Sequence, residues 1–227
     1  MGDFFQTIVD LDAGPQDAAR LAERVVGWLA AEGIVLAAPT RCLLGDGLGH
    51  EPGPHWIKAT GEENADHQPY DGLEVHTERT VFHDGQGGPG SVICPRCGTT
   101  TGLDFGGPEE GPVGEDGTPP PGDGASPADE DGLPPVGGHG APPGEEIWPK
   151  FGEAITTWYE TGAAAHIDCP VCAAPVALTD WRWGDGWFSF GYLGFEFWNW
   201  PPLSEEFRAR VADLLDGHRT AYHWGKL

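Results

Sequence analysis

Apolar and polar positions alternate regularly at both ends of the chain and lose their rhythm in the middle. Phe4 to Asp10, rich in Phe, Ile, Val and Thr, reads as a strand. Asp12-Ala13-Gly14-Pro15 interrupts it, and Pro15 suits the first turn of a helix, where a missing N–H is no loss. Ala18, Leu21, Val25, Trp28 and Leu29 then recur at helical spacing until Gly33 stops the run. Ile34-Val35-Leu36 reads as a second strand, so a strand–helix–strand opening is expected. Residues 39–90 show only short strand-like runs, at Trp56-Ile57-Lys58-Ala59, at Leu73-Glu74-Val75-His76 and up to Val81-Phe82.

Structure is expected to restart at Glu145-Glu146-Ile147-Trp148-Pro149. There Trp148, Phe151, Ile155, Trp158 and Tyr159 follow helical spacing and Gly162 ends the helix. Trp181 and Trp183 alternate, Gly184-Asp185-Gly186 reads as a hairpin turn, and Phe188, Phe190 and Tyr192 continue with period two. Phe195, Phe197, Trp198 and Trp200 follow, closed by Pro201-Pro202. This stretch reads as one buried sheet face, with a protein-binding patch as the functional alternative; base stacking would need more cations than Arg182. Ser204 caps a helix that carries Phe207, Val211, Leu214 and Leu215, Gly217 ends it, and Arg219 to Trp224 forms a last strand.

Composition changes this picture in one place. Gly and Pro supply 22 of the 39 residues in 106–144, a stretch with too little apolar surface to offset the entropy of ordering it, so it reads as a disordered acidic loop. The net charge is −24, and residues 106–146 hold ten acids and no base, which leaves −14 on the remainder. Such a surface repels phosphate backbones and anionic lipid, so neither nucleic acid nor membrane is an expected partner. The first residues lack a signal-peptide pattern, Gln6 stands where a myristoylation motif wants Ser or Thr, and no apolar run is long enough to span a bilayer. A soluble, cytoplasmic protein is expected, and an unpaired Cys42 fits a reducing compartment.

The chemistry-bearing signal is a pair of C-x-x-C hooks, Cys94-Pro95-Arg96-Cys97-Gly98 and Cys169-Pro170-Val171-Cys172. Two hooks supply the four soft ligands of a tetrahedral zinc ion, so Cys94, Cys97, Cys169 and Cys172 are the expected ligands of a structural Zn²⁺. Gly98 tolerates positive φ after the first hook; Ala173 holds the equivalent place after the second, where its turn is expected to be strained. A thioredoxin-like pair needs a helix after its hook, whereas strand-like residues flank both hooks here. A catalytic zinc would keep one position open, and an iron–sulfur centre would also take four cysteines. His166 is a fallback ligand.

His50, His55, His67, His76 and His83, interleaved with Glu51, Asp66, Glu74, Glu78 and Asp84, form the rival site for catalysis or a second metal, without a recognised spacing. There is no G-x-S-x-G. Lys58, Lys150 and Lys226 are not followed by Ser or Thr, so ATP has no Walker A loop.

The opening elements, the two hooks and the tail from Gly194-Phe195-Glu196-Phe197-Trp198-Asn199-Trp200-Pro201 through His223-Trp224-Gly225-Lys226-Leu227 resemble an uncharacterised family of zinc-ribbon-containing actinobacterial proteins. The resemblance spans most of the chain outside the Gly/Pro loop. Some of those proteins carry the label of a sugar-transporter ATPase, which the missing phosphate loop contradicts here. It brings no functional residues to carry over.

The expected fold is α+β, a mixed or antiparallel sheet with flanking helices and an inserted zinc ribbon. Residues 1–90 would form its first half and 181–227 would complete it. Knuckles at 91–105 and 163–180 would flank the 106–144 loop, with a helix at 145–162 packed on the ribbon. The expected function is a non-catalytic acidic protein with structural zinc that binds another, basic protein, in an immunity- or inhibitor-like role. An enzyme working among residues 50–84 and a ribbon-bearing accessory of transcription or translation are the alternatives.

Overall fold

The computed structural model describes residues 2–44, 47–103 and 147–227. The acidic 106–144 stretch lies outside the described residues. In chain order the elements are β1 (Phe4–Asp10), α1 (Ala18–Ala31), α2 (Ile57–Thr60), β2 (Leu73–His76), β3 (Thr80–His83), β4 (Ser91–Ile93) and β5 (Thr100–Gly102). After them come α3 (Trp148–Thr161), β6 (His166–Asp168), β7 (Pro175–Ala177), β8 (Arg182–Trp183), β9 (Phe188–Gly191), β10 (Leu193–Trp198), α4 (Glu205–Asp213) and β11 (Thr220–Lys226). No helix among the described residues is long and apolar enough to cross a membrane.

The fold is α+β with antiparallel sheets. The main sheet has the order β11-β1-β10-β2, so both chain ends meet in it. Period-two alternation gives β1 two unlike faces. Ile8 packs with Leu73, Leu193, Phe195 and Phe197 against Leu21, Val25 and Leu29 of α1 and Phe207 and Val211 of α4, all buried. Burial of each such side chain is worth about 1.5–3 kcal/mol, which makes this layer the main apolar core. Gln6 shares that face and is 1 % exposed, yet fully satisfied. Its amide donates to the carbonyls of Trp200 and Pro201, and its oxygen accepts from the Leu203 N–H and the Tyr222 hydroxyl. Ser204 caps α4 by accepting from the Phe207 N–H.

A second core lies beside the first. Phe151, Ala154 and Trp158 of α3 pack on Val92, Ile167, Val176, Leu178, Trp181 and Trp183, so the helix between the hooks lies on the strands that carry them. The T-shaped contacts of Phe151 with Trp181 and Trp183 lock this layer.

Three local expectations are overturned. Ile34-Val35-Leu36 forms only one bridge, Val35 to Pro52, and not a strand. The Ile34 and Val35 N–H groups turn back to the Leu29 carbonyl at the end of α1, so they are lost to a ladder. The opening is therefore strand–helix–loop. Trp56-Ile57-Lys58-Ala59, expected as strand, enters the helical turn α2, because the N–H groups of Trp56, Lys58 and Ala59 find carbonyls three residues back. Gly184-Asp185-Gly186 does not join a hairpin: β8 pairs with β4 and β9 pairs with β3. Positive φ at Asp185 and Gly186 swings the chain from one sheet to another.

Candidate metal centre and a polar sheet face

Each hook sits at the tip of a short antiparallel pair. β4 and β5 flank Cys94 and Cys97, and β6 and β7 flank Cys169 and Cys172. The two hooks close identically. The Gly98 N–H returns to the Cys94 carbonyl and the Ala173 N–H to the Cys169 carbonyl, each at 2.9 Å. Both closures need left-handed backbone, with φ of 73° at Gly98 and 54° at Ala173. The expected strain at Ala173 is thus visible. The Arg96 N–H also points at the Cys94 sulfur, 3.4 Å away.

The four sulfurs converge within 4.8 Å of one another. Cys94 Sγ lies 4.0 Å from Cys172 Sγ, and Cys97 Sγ lies 3.8 Å from Cys169 Sγ. A tetrahedral ion with bonds of about 2.3 Å would set its ligands about 3.8 Å apart, close to these two separations. One cysteine of each hook, Cys94 and Cys169, is buried; Cys97 and Cys172 are exposed. His166 is exposed on β6 and is not among the residues that converge.

The thiols themselves call for a cation. Cys97 is lowered to about 6, first by its hydrogen bond with the Thr99 hydroxyl and then by the Thr99 backbone. The Ala174 backbone pulls Cys172 down, but desolvation and the neighbouring sulfurs outweigh it and push that thiol up to about 11. One thiolate therefore forms readily, whereas desolvation and hydrogen bonding among the sulfurs keep the proton on Cys172, which a bound cation would displace.

The histidine-rich stretch is only partly assembled. The Nδ1 atoms of His50 and His55 meet the carbonyls of Leu36 and Glu32, and His83 Nδ1 accepts the Gly85 N–H. Cys42 is no activated nucleophile, since desolvation raises its thiol. Glu74 and His76 do converge, with a residue that sequence spacing did not single out, Glu196 of β10. Register explains it: Thr7 sits opposite Glu196 on one side and His223 on the other, and Glu196 sits opposite Glu74. A row of polar groups thus crosses all four strands on the face away from α1 and α4. His223, 1 % exposed, is held between Asp84 Oδ1 at 2.7 Å and Ser189 Oγ at 2.8 Å. Burial holds this imidazole below the ordinary histidine value despite Asp84. The only sequence signal for this row was period-two placement on strands whose pairing was unknown.

Half of the aromatic stretch is buried, at Trp181, Trp183, Phe195, Phe197 and Trp200, and its other five rings are half-buried. The exposed aromatics lie elsewhere. Tyr70 and Trp224, 81 % and 54 % exposed, line a groove of about 370 Å³ with Phe4, Trp200, Pro201 and Pro202. Phe4 and Trp224 stack there. Asn199 donates to both Asp3 and Asp71 beside the groove, and exposed Glu62, Glu63 and Asp66 flank its Asn64 and His67 lining.

No protein-family model, curated protein or solved structure matches this chain.

Proposed function

We propose that this protein is a non-catalytic binding module. A single zinc ion, closed off by Cys94, Cys97, Cys169 and Cys172, stabilises it, and its aromatic groove takes a basic segment of another protein. The groove is the observation that carries this reading: exposed Tyr70 and Trp224 line it together in a surface rich in carboxylates. Aromatic anchors supply contact area at low entropic cost, and the acid rim speeds encounter with an oppositely charged partner. Zinc suits the cage because four thiolates favour a soft tetrahedral ion and leave no position for substrate or water. An immunity- or inhibitor-like role against a basic protein fits that surface.

Affinity capture from host extract should retain a basic protein on the wild-type chain and lose it on the Y70A/W224A variant. The purified pair should then bind at least tenfold more weakly after W224A, and more weakly as salt rises. Equal retention by the folded double variant refutes the reading. A second reading, an enzyme, draws on the convergence of Glu74, His76 and Glu196 with the neighbouring Ser189–His223–Asp84 row. Turnover abolished by H76A, with partner binding intact, would favour it.

A further inference from the structure

We infer that Glu74, His76 and Glu196 form a second metal site, distinct from the thiolate cage, which takes a divalent cation of Mn²⁺ type through one imidazole nitrogen and two carboxylates. This goes beyond the binding-module reading and does not depend on it. One ligand atom from each residue lies within 4.8 Å of the others. His76 Nε2 stands 3.5 Å from Glu196 Oε2, close to the ligand–ligand edge of about 3.0–3.4 Å that metal bonds near 2.1 Å produce. The same nitrogen is shut off from solvent and makes no hydrogen bond, so its one charged contact is the Glu196 carboxylate that would share the ion.

Both carboxylates are already aimed. The Thr7 hydroxyl donates to Glu196 Oε2 and the Trp198 indole N–H to Glu74 Oε2, each at 3.2 Å. Such outer hydrogen bonds orient metal ligands in general. Glu74 and Glu196 also face each other directly across β2 and β10. Like charges so placed destabilise a sheet, and a cation between them removes the repulsion. The three residues project from two adjacent strands, with Phe82 of β3 edge-on to the His76 ring.

Carboxylates suit Mn²⁺-type ions, while four thiolates hold Zn²⁺ far more tightly, so one equivalent of zinc fills the cysteine cage first. Three protein ligands leave positions open for water or an oxygen ligand. Glu196 also lines a cavity of about 190 Å³ with Thr7, Thr80, His83 and Trp198, which offers room for them.

The test uses the full chain with its cysteine cage filled by Zn²⁺, titrated with Mn²⁺ while free Mn²⁺ is followed by electron paramagnetic resonance. One saturable Mn²⁺ per chain is expected, weakened at least tenfold by H76Q and by E196Q and about tenfold by T7V. Bound Mn²⁺ should broaden the Trp198 indole NMR signal before others. Zinc content and far-UV circular dichroism serve as the check that each variant is folded. Absence of saturable binding up to about 1 mM, equal binding by folded H76Q, or broadening that spares Trp198 overturns the assignment.

Discussion

The two hooks differ at the residue that takes left-handed φ, and exchanging it gives a sharp test of the turn geometry. Gly98 and Ala173 occupy equivalent places, both with left-handed φ and both exposed. A Cβ built on Gly98 meets nothing within 4 Å, so G98A costs backbone strain and nothing steric. Left-handed backbone costs an L-residue roughly 1–2 kcal/mol, and the stiffer unfolded chain returns part of it, so a net loss of about 1 kcal/mol is expected. A173G should do the opposite: it relieves the strain, loses an exposed methyl of little packing value, and gains about 1 kcal/mol. Urea denaturation of the zinc-loaded variants reads both, and the two midpoints should move in opposite directions from wild type. Chelator competition should follow, with zinc held about fivefold more tightly by A173G, because hook closure and metal capture are linked. Shifts of the same sign in both variants would refute the argument.

Other outcomes follow from contacts described above. Cys94→Ser or Cys172→Ser should take zinc content, measured by mass spectrometry, from one ion per chain to none in the presence of a chelator, because three thiolates bind far more weakly than four. Gln6→Leu strands the Leu203 N–H and the carbonyls of Trp200 and Pro201, at a cost of about 3 kcal/mol in denaturant unfolding. NMR titration should find His218 and His223 on opposite sides of the ordinary histidine value of 6.5, since Asp10 raises the first and burial lowers the second. His218 then adds stability that is full below about pH 6.5 and lost as pH rises through its folded value, whereas His223 subtracts stability as pH falls below about 6.5. A reversed order of titration would contradict the half-buried Asp10–His218 pair and the burial of His223.

The hooks and the terminal strands were legible because each is written in local sequence: sulfur spacing for the first, period-two apolar runs for the second. Helix α1 was equally plain from Leu21, Val25 and Leu29. Ile34-Val35 misled because β-branched residues advertise a strand even where their N–H groups finish a helix instead. The strand around Phe188 was readable, but its partner was not: pairing of β9 with β3 depends on a sheet switch at Asp185. The polar row was hidden for the same reason. Glu196 and His223 are neighbours of Thr7 only after strands from opposite ends of the chain pair, and no local pattern records that.

The central position of β1 has a price in time. Thr7 meets Glu196, 189 positions later, so the strand made first must wait for its two neighbours to emerge. At about 5–20 residues per second on the ribosome, that wait is on the order of ten to forty seconds. Throughout it, the newborn segment that begins Phe4-Phe5 has neither edge covered. Pairing of this segment therefore cannot be complete until residues 193–226 have been made, and whatever shields it meanwhile governs the yield of folded chains.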